Sequence, residues 1–213
     1  MKKKILVACL CVALAVLTIA GTTLAYLTAN DQVVNTFTVG NVQIKLDEAK
    51  VDEMGAPVQG ADRVKDNSYK LIPGHTYAKD PMVTVLKGSE PSYIKMTVTF
   101  SKANELDAIF APNGADLIKI FNNYDSANWI YKGNTKDATA DTRTYEFWYK
   151  EAVAAPTTDV ALDALFDSIT VPGTITSTQL ETIKGMTITV NAYAIQADGF
   201  ANAEAAWAAY PAA

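Results

Sequence analysis

Cysteine and histidine are nearly missing from this 213-residue sequence, which has two of the first and one of the second. Cys9 and Cys11 both fall inside the N-terminal segment read below as an export signal. The chain that remains after its removal has no cysteine, which excludes a disulfide framework, thiol catalysis and thiolate metal sites. The lone histidine, His75, sits in the turn Ile72-Pro73-Gly74-His75-Thr76 with no G-x-S-x-G elbow beside it, so it reads as a solvated turn residue rather than the base of a Ser-His-Asp triad. Zinc chemistry lacks an H-E-x-x-H or a second histidine. The scattered carboxylates form no D-x-[DN]-x-[DN]-G loop and read as solubilising. The glycines are isolated turn residues, not a phosphate-cradling loop. No carboxylate pair is nominated for glycoside hydrolysis. Basic runs are confined to Lys2, Lys3 and Lys4; without them the net charge goes from −5 to −8. Such a surface argues against nucleic acid and anionic lipid as partners. No catalytic, cofactor-binding or metal-binding residue is assigned, and an enzyme is not expected.

Met1 to Ala25 has the three parts of a secretory signal: the lysines, an apolar run from Ile5 to about Ala20, and small residues up to Thr23-Leu24-Ala25. Signal peptidase is expected to cut between Ala25 and Tyr26. A retained membrane anchor needs about 20 apolar residues, and this run is shorter and rich in Ala, Cys and Thr. Taking 25 residues from 213 leaves 188, enough for one domain with a substantial core. The Lys-rich signal is Gram-positive in style.

Strand-period alternation begins soon after the signal. Phe37 and Val39 share one face, then Val42, Ile44 and Leu46 share one after a one-residue slip at Gly40, the pattern of a β-bulge. Asp47 to Asn67 is a polar surface excursion with turn signals at Gly55-Ala56-Pro57 and Gly60. Short strands are predicted over Tyr69–Ile72 and Met82–Leu86, and a long half-buried one over Ser92–Phe100, with Ile94, Met96, Val98 and Phe100 on its apolar face. Helical spacing over Ser101–Asn123 predicts two short helices broken at Pro112-Asn113-Gly114. Asn128–Lys132 and Thr142–Glu151 predict a hairpin joined through Gly133–Asp137. Val160–Phe166 reads as a helical turn, Ile169–Gly173 as an edge strand, and Ser177–Ile183 as a helix capped by Ser177. Met186–Gln196 is the last strand, and Asn202–Tyr210 a short helix that docks through Trp207. The sum is a mainly β protein, a jelly-roll-like or immunoglobulin-like antiparallel β-sandwich with short helices in its connections. Three segments are expected: a signal over 1–25, an N-terminal arm over 26–35, and one sandwich domain over 36–213.

The block Thr23-Leu24-Ala25-Tyr26-Leu27-Thr28, followed by Asn35-Thr36-Phe37-Thr38-Val39-Gly40-Asn41-Val42, resembles the TasA/camelysin family of secreted Bacillota proteins. Tyr69–Pro81, Gly88-Ser89-Glu90 with Tyr93, and Ala194–Phe200 with Trp207 are similar to its clostridial members. The resemblance implies a jelly-roll sandwich, secretion, and residence in the extracellular biofilm matrix or on the surface of a Gram-positive cell. It also implies self-assembly into fibres by strand donation, with or without a co-exported anchor or matrix protein. The candidate donor is the arm Tyr26–Asn35, whose Leu27, Val33 and Val34 offer side chains to an acceptor. No membrane association is expected after cleavage, and no sorting motif follows Trp207.

Two alternatives stand beside this reading. Camelysin-like members are described as metallopeptidases, an activity for which this sequence supplies only His75. A surface adhesion or carbohydrate-binding module would use strand aromatics, with Trp129 and Trp148 as candidate surface residues beside Tyr131, Tyr145 and Tyr149; core packing is the competing use of the same rings.

Overall fold

The computed structural model describes residues 40–110 and 120–211. The signal, the Ala25–Tyr26 bond, the arm with Leu27, Val33 and Val34, the Phe37/Val39 half of the bulge and most of the second predicted helix lie outside the described residues. Those that are described belong to one compact unit, which begins at Val39.

The longest strand shows most directly how the sequence organises the fold. β4 (Ser92–Ser101) alternates strictly, and Ile94, Met96, Val98 and Phe100 are all buried on its inner face. It is flanked by β10 (Ile188–Gln196) and β7 (Thr142–Tyr149), and β7 in turn pairs with β6 (Trp129–Asp137), giving an antiparallel sheet of order β10-β4-β7-β6. Met96 stands opposite Phe147 on one side and Ala192 on the other, so the inner face is continuous across strands. A second sheet of order β1-β3-β8 is built from β1 (Ile44–Asp47), β3 (Met82–Val85) and β8 (Val160–Ala161). A third, of order β2-β9-β5, joins β2 (Thr76–Ala78), β9 (Ser168–Thr170) and β5 (Phe121–Asn122). All pairings are antiparallel. Among the described residues three short helices, α1 (Ala103–Phe110), α2 (Ser177–Thr182) and α3 (Ala203–Ala209), occupy connections or the C-terminal end. The result is the mainly β, sandwich-like fold expected.

The principal core lies between the sheets and is rich in aromatics. Phe121 packs against Phe166 at 4.6 Å and edge-on to Tyr145 at 5.2 Å between ring centres. A smaller cluster of Tyr77, Val171, Ile175 and Ile183 lies beside it, with Leu71, Leu180 and Met186 packed against it.

Several predicted elements are corrected. Tyr69–Ile72 alternates like a strand but joins no sheet: Lys70 N–H goes to the Glu53 carbonyl, while the Tyr77 hydroxyl accepts from Ile72 N–H and donates to the Lys70 carbonyl. Val160–Phe166 is not a helical turn. Leu162 N–H bonds the Val83 carbonyl and Leu165 N–H that of Pro81, so the segment follows the edge of β3 while Leu162, Leu165 and Phe166 are buried. The strand over Ile169 is central in its sheet rather than an edge. Phe121 belongs to β5 rather than to a helix. Gly133 is not the hairpin turn: β6 continues to Asp137, and a register shift between Tyr131 and Gly133, with Gly133 at φ 119°, marks a bulge. Thr176, not Ser177, caps α2, in a capping box with Gln179. α3 forms as expected, capped by Asn202 and docked through the buried Trp207.

Candidate functional site

β1 pairs only with β3, and β10 only with β4, among the described residues. Ladder alternation tells which of their backbone groups are free. Ser101 N–H bonds the Thr187 carbonyl and Ala197 N–H that of Pro91, so the odd-numbered residues of β10 address β4. In an antiparallel ladder the intervening residues point the other way. The N–H and C=O groups of Ile188, Val190, Ala192 and Ala194 therefore line the outer edge. On β1, Leu86 N–H bonds the Gln43 carbonyl, while Glu48 exchanges both backbone hydrogen bonds with Val64 on the opposite edge. Ile44 and Leu46 direct their groups to the same side as Glu48.

Between these two edges lies a groove of about 1340 Å³, with Ile44 and Leu46 on one wall, Ile188 and Val190 on the other, and Phe100 and Met186 also lining it. Small-molecule sites hold about 300–1,000 Å³, so this one has the size for a stretch of polypeptide. Cα atoms of β1 and β10 come within 8 Å of each other. An intervening strand would span about twice the ~4.8 Å ladder spacing, so a strand paired to β10 enters only if β1 moves outward.

One end of the groove is polar. Arg63, in the excursion that follows β1, donates Nε to Asp47 at 2.6 Å, one guanidinium nitrogen to the Asp80 carboxylate at 2.8 Å, and the other to the backbone carbonyls of Asp47 and Asp80. Burial alone would push the Asp47 carboxyl up, but hydrogen bonds from Lys45 and Arg63, together with their charges, hold it below its usual range. Next to it, Lys79 Nζ donates to Glu48 Oε2 at 2.6 Å, with both side chains under 10% exposed. Burial, with the Glu48 carboxylate near by, drives the Tyr69 hydroxyl up.

The described chain enters β1 beside Glu90. The Asn41 carbonyl accepts from Glu90 N–H, and an added Cβ at Gly40 would meet Glu90 Cγ at 2.9 Å.

The aromatic candidates take other roles. Trp129 is not a surface residue: it is 1% exposed, meets Tyr149 edge-on and donates Nε1 to the Asp163 carbonyl. Tyr145 is buried as well. Trp148 lies between Lys132, whose ammonium sits 4.0 Å from the ring centre, and Trp207 of α3 at 6.2 Å. Lys95 lies 4.6 Å from the Trp207 ring centre. These contacts fasten the C-terminal helix to the outer sheet face. His75 Nε2 lies 2.5 Å from the Met54 carbonyl and its ring packs on Tyr77. No group of three or more His, Cys, Asp or Glu side chains poised for a metal occurs among the described residues.

Sequence reading nominated a candidate donor arm, which lies outside the described residues, and did not single out the groove. The missed residues are Ile44, Leu46, Ile188 and Val190 as an open pair of edges, and Asp47, Glu48, Arg63, Asn67 and Lys79 at the polar end. One signal was present: the sequence has only two arginines, Arg63 and Arg143. Each anchors an aspartate-bearing ion cluster. Comparison with family models, with curated proteins and with solved structures gives no match for this chain.

Proposed function

We propose that this protein is a secreted structural subunit of a Gram-positive cell surface or biofilm matrix, and that it assembles head to tail by strand addition. The N-terminal segment of one copy pairs with the open edge of β10 on the next and drops its apolar side chains into the groove. The observation that carries this reading is the pair of strand edges, β10 and the Ile44–Leu46 part of β1, that have no strand partner among the described residues and flank a groove of polypeptide size. A donor and an acceptor at different places on each subunit give a heterologous contact, which propagates as an open filament. The resemblance of the signal and first-strand block to the TasA/camelysin family supports the same assignment.

The segment that precedes β1 has two parts. Leu27 to Asn35 offers Leu27, Val33 and Val34, while Phe37 and Val39 continue the odd-numbered face of Val33. Strand period places Val33, Phe37 and Val39 together toward a groove. The test is the size distribution, by light scattering and negative-stain microscopy, of protein beginning at Tyr26, at Thr36 and at Gly40. Filaments from the first and monomers from the last are expected. Filaments from the Gly40 protein, or monomers from the Tyr26 protein, would sink the proposal. The Thr36 protein measures how much of the donor lies in Phe37 and Val39.

A further inference from the structure

Glu48, Asn67 and Lys79 form a constellation that strand addition does not use. The Glu48 carboxylate accepts from Lys79 Nζ on Oε2 at 2.6 Å and from Asn67 Nδ2 on Oε1 at 3.0 Å. An amine and a carboxamide are thus held against the two oxygens of one buried carboxyl group. The Asn67 carbonyl oxygen accepts from Val51 N–H at 3.0 Å, and its Nδ2 also donates to the Ala49 carbonyl at 2.9 Å. Lys79 and Glu48 are buried, and Tyr69 stands beside them.

We propose that this is the site of an intramolecular isopeptide bond between Lys79 and Asn67, formed autocatalytically with Glu48 as the catalytic residue. Glu48 takes a proton from the Lys79 ammonium along their hydrogen bond, which exposes the Nζ lone pair. That pair attacks Asn67 Cγ, and charge developing on Oδ1 is met by Val51 N–H. As the Cγ–Nδ2 bond breaks, a second proton passes from Nζ through the same carboxyl to Nδ2, which departs as ammonia. Glu48 is left with the first proton and releases it to water. One N–C bond forms, one breaks, and no oxidant or cofactor is consumed.

The physical case rests on arrangement. Attack of an amine on a carboxamide is slow in water, but well-oriented neighbours gain effective molarities of about 10⁵–10⁸ M. A positioned proton carrier adds about 10²–10⁴-fold. The link would tie Asn67, in the irregular excursion, to Lys79, directly after β2. It fixes covalently the polar end of the groove in a chain with no cysteine past Cys11.

The experiment is intact mass measurement and tandem mass spectrometry of proteolytic peptides on the full chain and on Lys79→Met, Asn67→Asp and Glu48→Gln. The expected result is a mass lower by one ammonia and a branched peptide joining the Asn67 and Lys79 segments. Asn67→Asp should form the same link with loss of water instead. Glu48→Gln keeps both reacting groups, and its branched peptide should fall at least ~10-fold, the lower side of what a proton carrier contributes. A cyclic imide at Asn67-Ser68 would also lose ammonia, but it would persist in Lys79→Met. Full mass with linear peptides at both positions, or a deficit that survives Lys79→Met, overturns the proposal. The unsubstituted chain decides the matter by itself if a variant fails to fold.

Discussion

The two margins of the four-stranded sheet are treated in opposite ways. β6 carries Lys132, Lys136 and Asp137, and a bulge at Gly133 interrupts its register. Charges and bulges are the devices by which edge strands resist pairing with other chains. Both lysines are also engaged, Lys132 with Trp148 and Glu204, and Lys136 with Asp107. β10, Ile-Thr-Val-Asn-Ala-Tyr-Ala-Ile-Gln, has no charge, no proline and no bulge against β4. Among the described residues, one sheet therefore has a guarded margin and an open one. The contrast is the one the proposed strand addition calls for, since both strands are long enough to nucleate pairing.

The largest effect should come from closing β10 without damaging its fold. In Ala192→Pro the lost N–H points away from β4, and proline is tolerated on an edge in that sense. The substituted protein should keep its secondary structure by circular dichroism yet lose filaments by microscopy; filaments of normal abundance would remove β10 as the acceptor edge. Next in size is Trp129→Ala, which deletes a buried ring beneath β6 and should cost about 3–5 kcal/mol by denaturant unfolding. A cost under 1 kcal/mol would return Trp129 to the surface-aromatic reading.

The third prediction removes a guard. Arg143 donates to both Asp107 oxygens, at 3.0 and 2.6 Å, and thereby ties β7 to α1 beside Lys136. Arg143→Met should cost about 1–2 kcal/mol, less than a fully buried pair because these groups are partly solvated. The fourth concerns pH. At Asp107, as at Asp47, burial pushes the carboxyl up and is outweighed by hydrogen bonds and charge, here from Arg143 and Lys136, so both carboxyls titrate below their unfolded value. A depressed folded pKa contributes stability that is complete above the unfolded value, near pH 4, and is lost as pH falls through the folded one. The melting temperature should drop below about pH 4, and the drop should be shallower in Asp47→Asn. The smallest effect is expected at Ile130, 40% exposed on the guarded strand, where Ile130→Lys should change stability by no more than ~0.5 kcal/mol and leave filaments intact.

Much of this was legible from the sequence where one physical rule acted alone. β4 and the aromatic face of β7 follow from period-two burial. α3 follows from a run of residues at helical frequency. Errors arose where tertiary partners overrode local pattern. Leu162, Leu165 and Phe166 have helical spacing, yet Val83 of β3 and the preceding Pro81 take the N–H groups of Leu162 and Leu165. Gly133 looks like a turn, but the chain uses its freedom for a bulge. The site divided in the same manner. An arm with strand potential can be read from Leu27, Val33 and Val34, but an acceptor consists of hydrogen bonds not made. Its walls come from residues near 45 and near 190, and no local pattern announces that they face each other. The Glu48–Asn67–Lys79 grouping was hidden for the same reason.

The position of β10 along the chain has a temporal consequence. β10 pairs with β4 across roughly a hundred residues, the kind of distant pairing that forms late and slowly. Being the last strand among the described residues, it emerges after the others during synthesis. Under the proposed strand addition, a growing chain would carry its leading segment from the outset and complete the edge of β10 only when residue 196 is in place. Unfinished chains would then offer no socket, and elongation would wait on whole molecules.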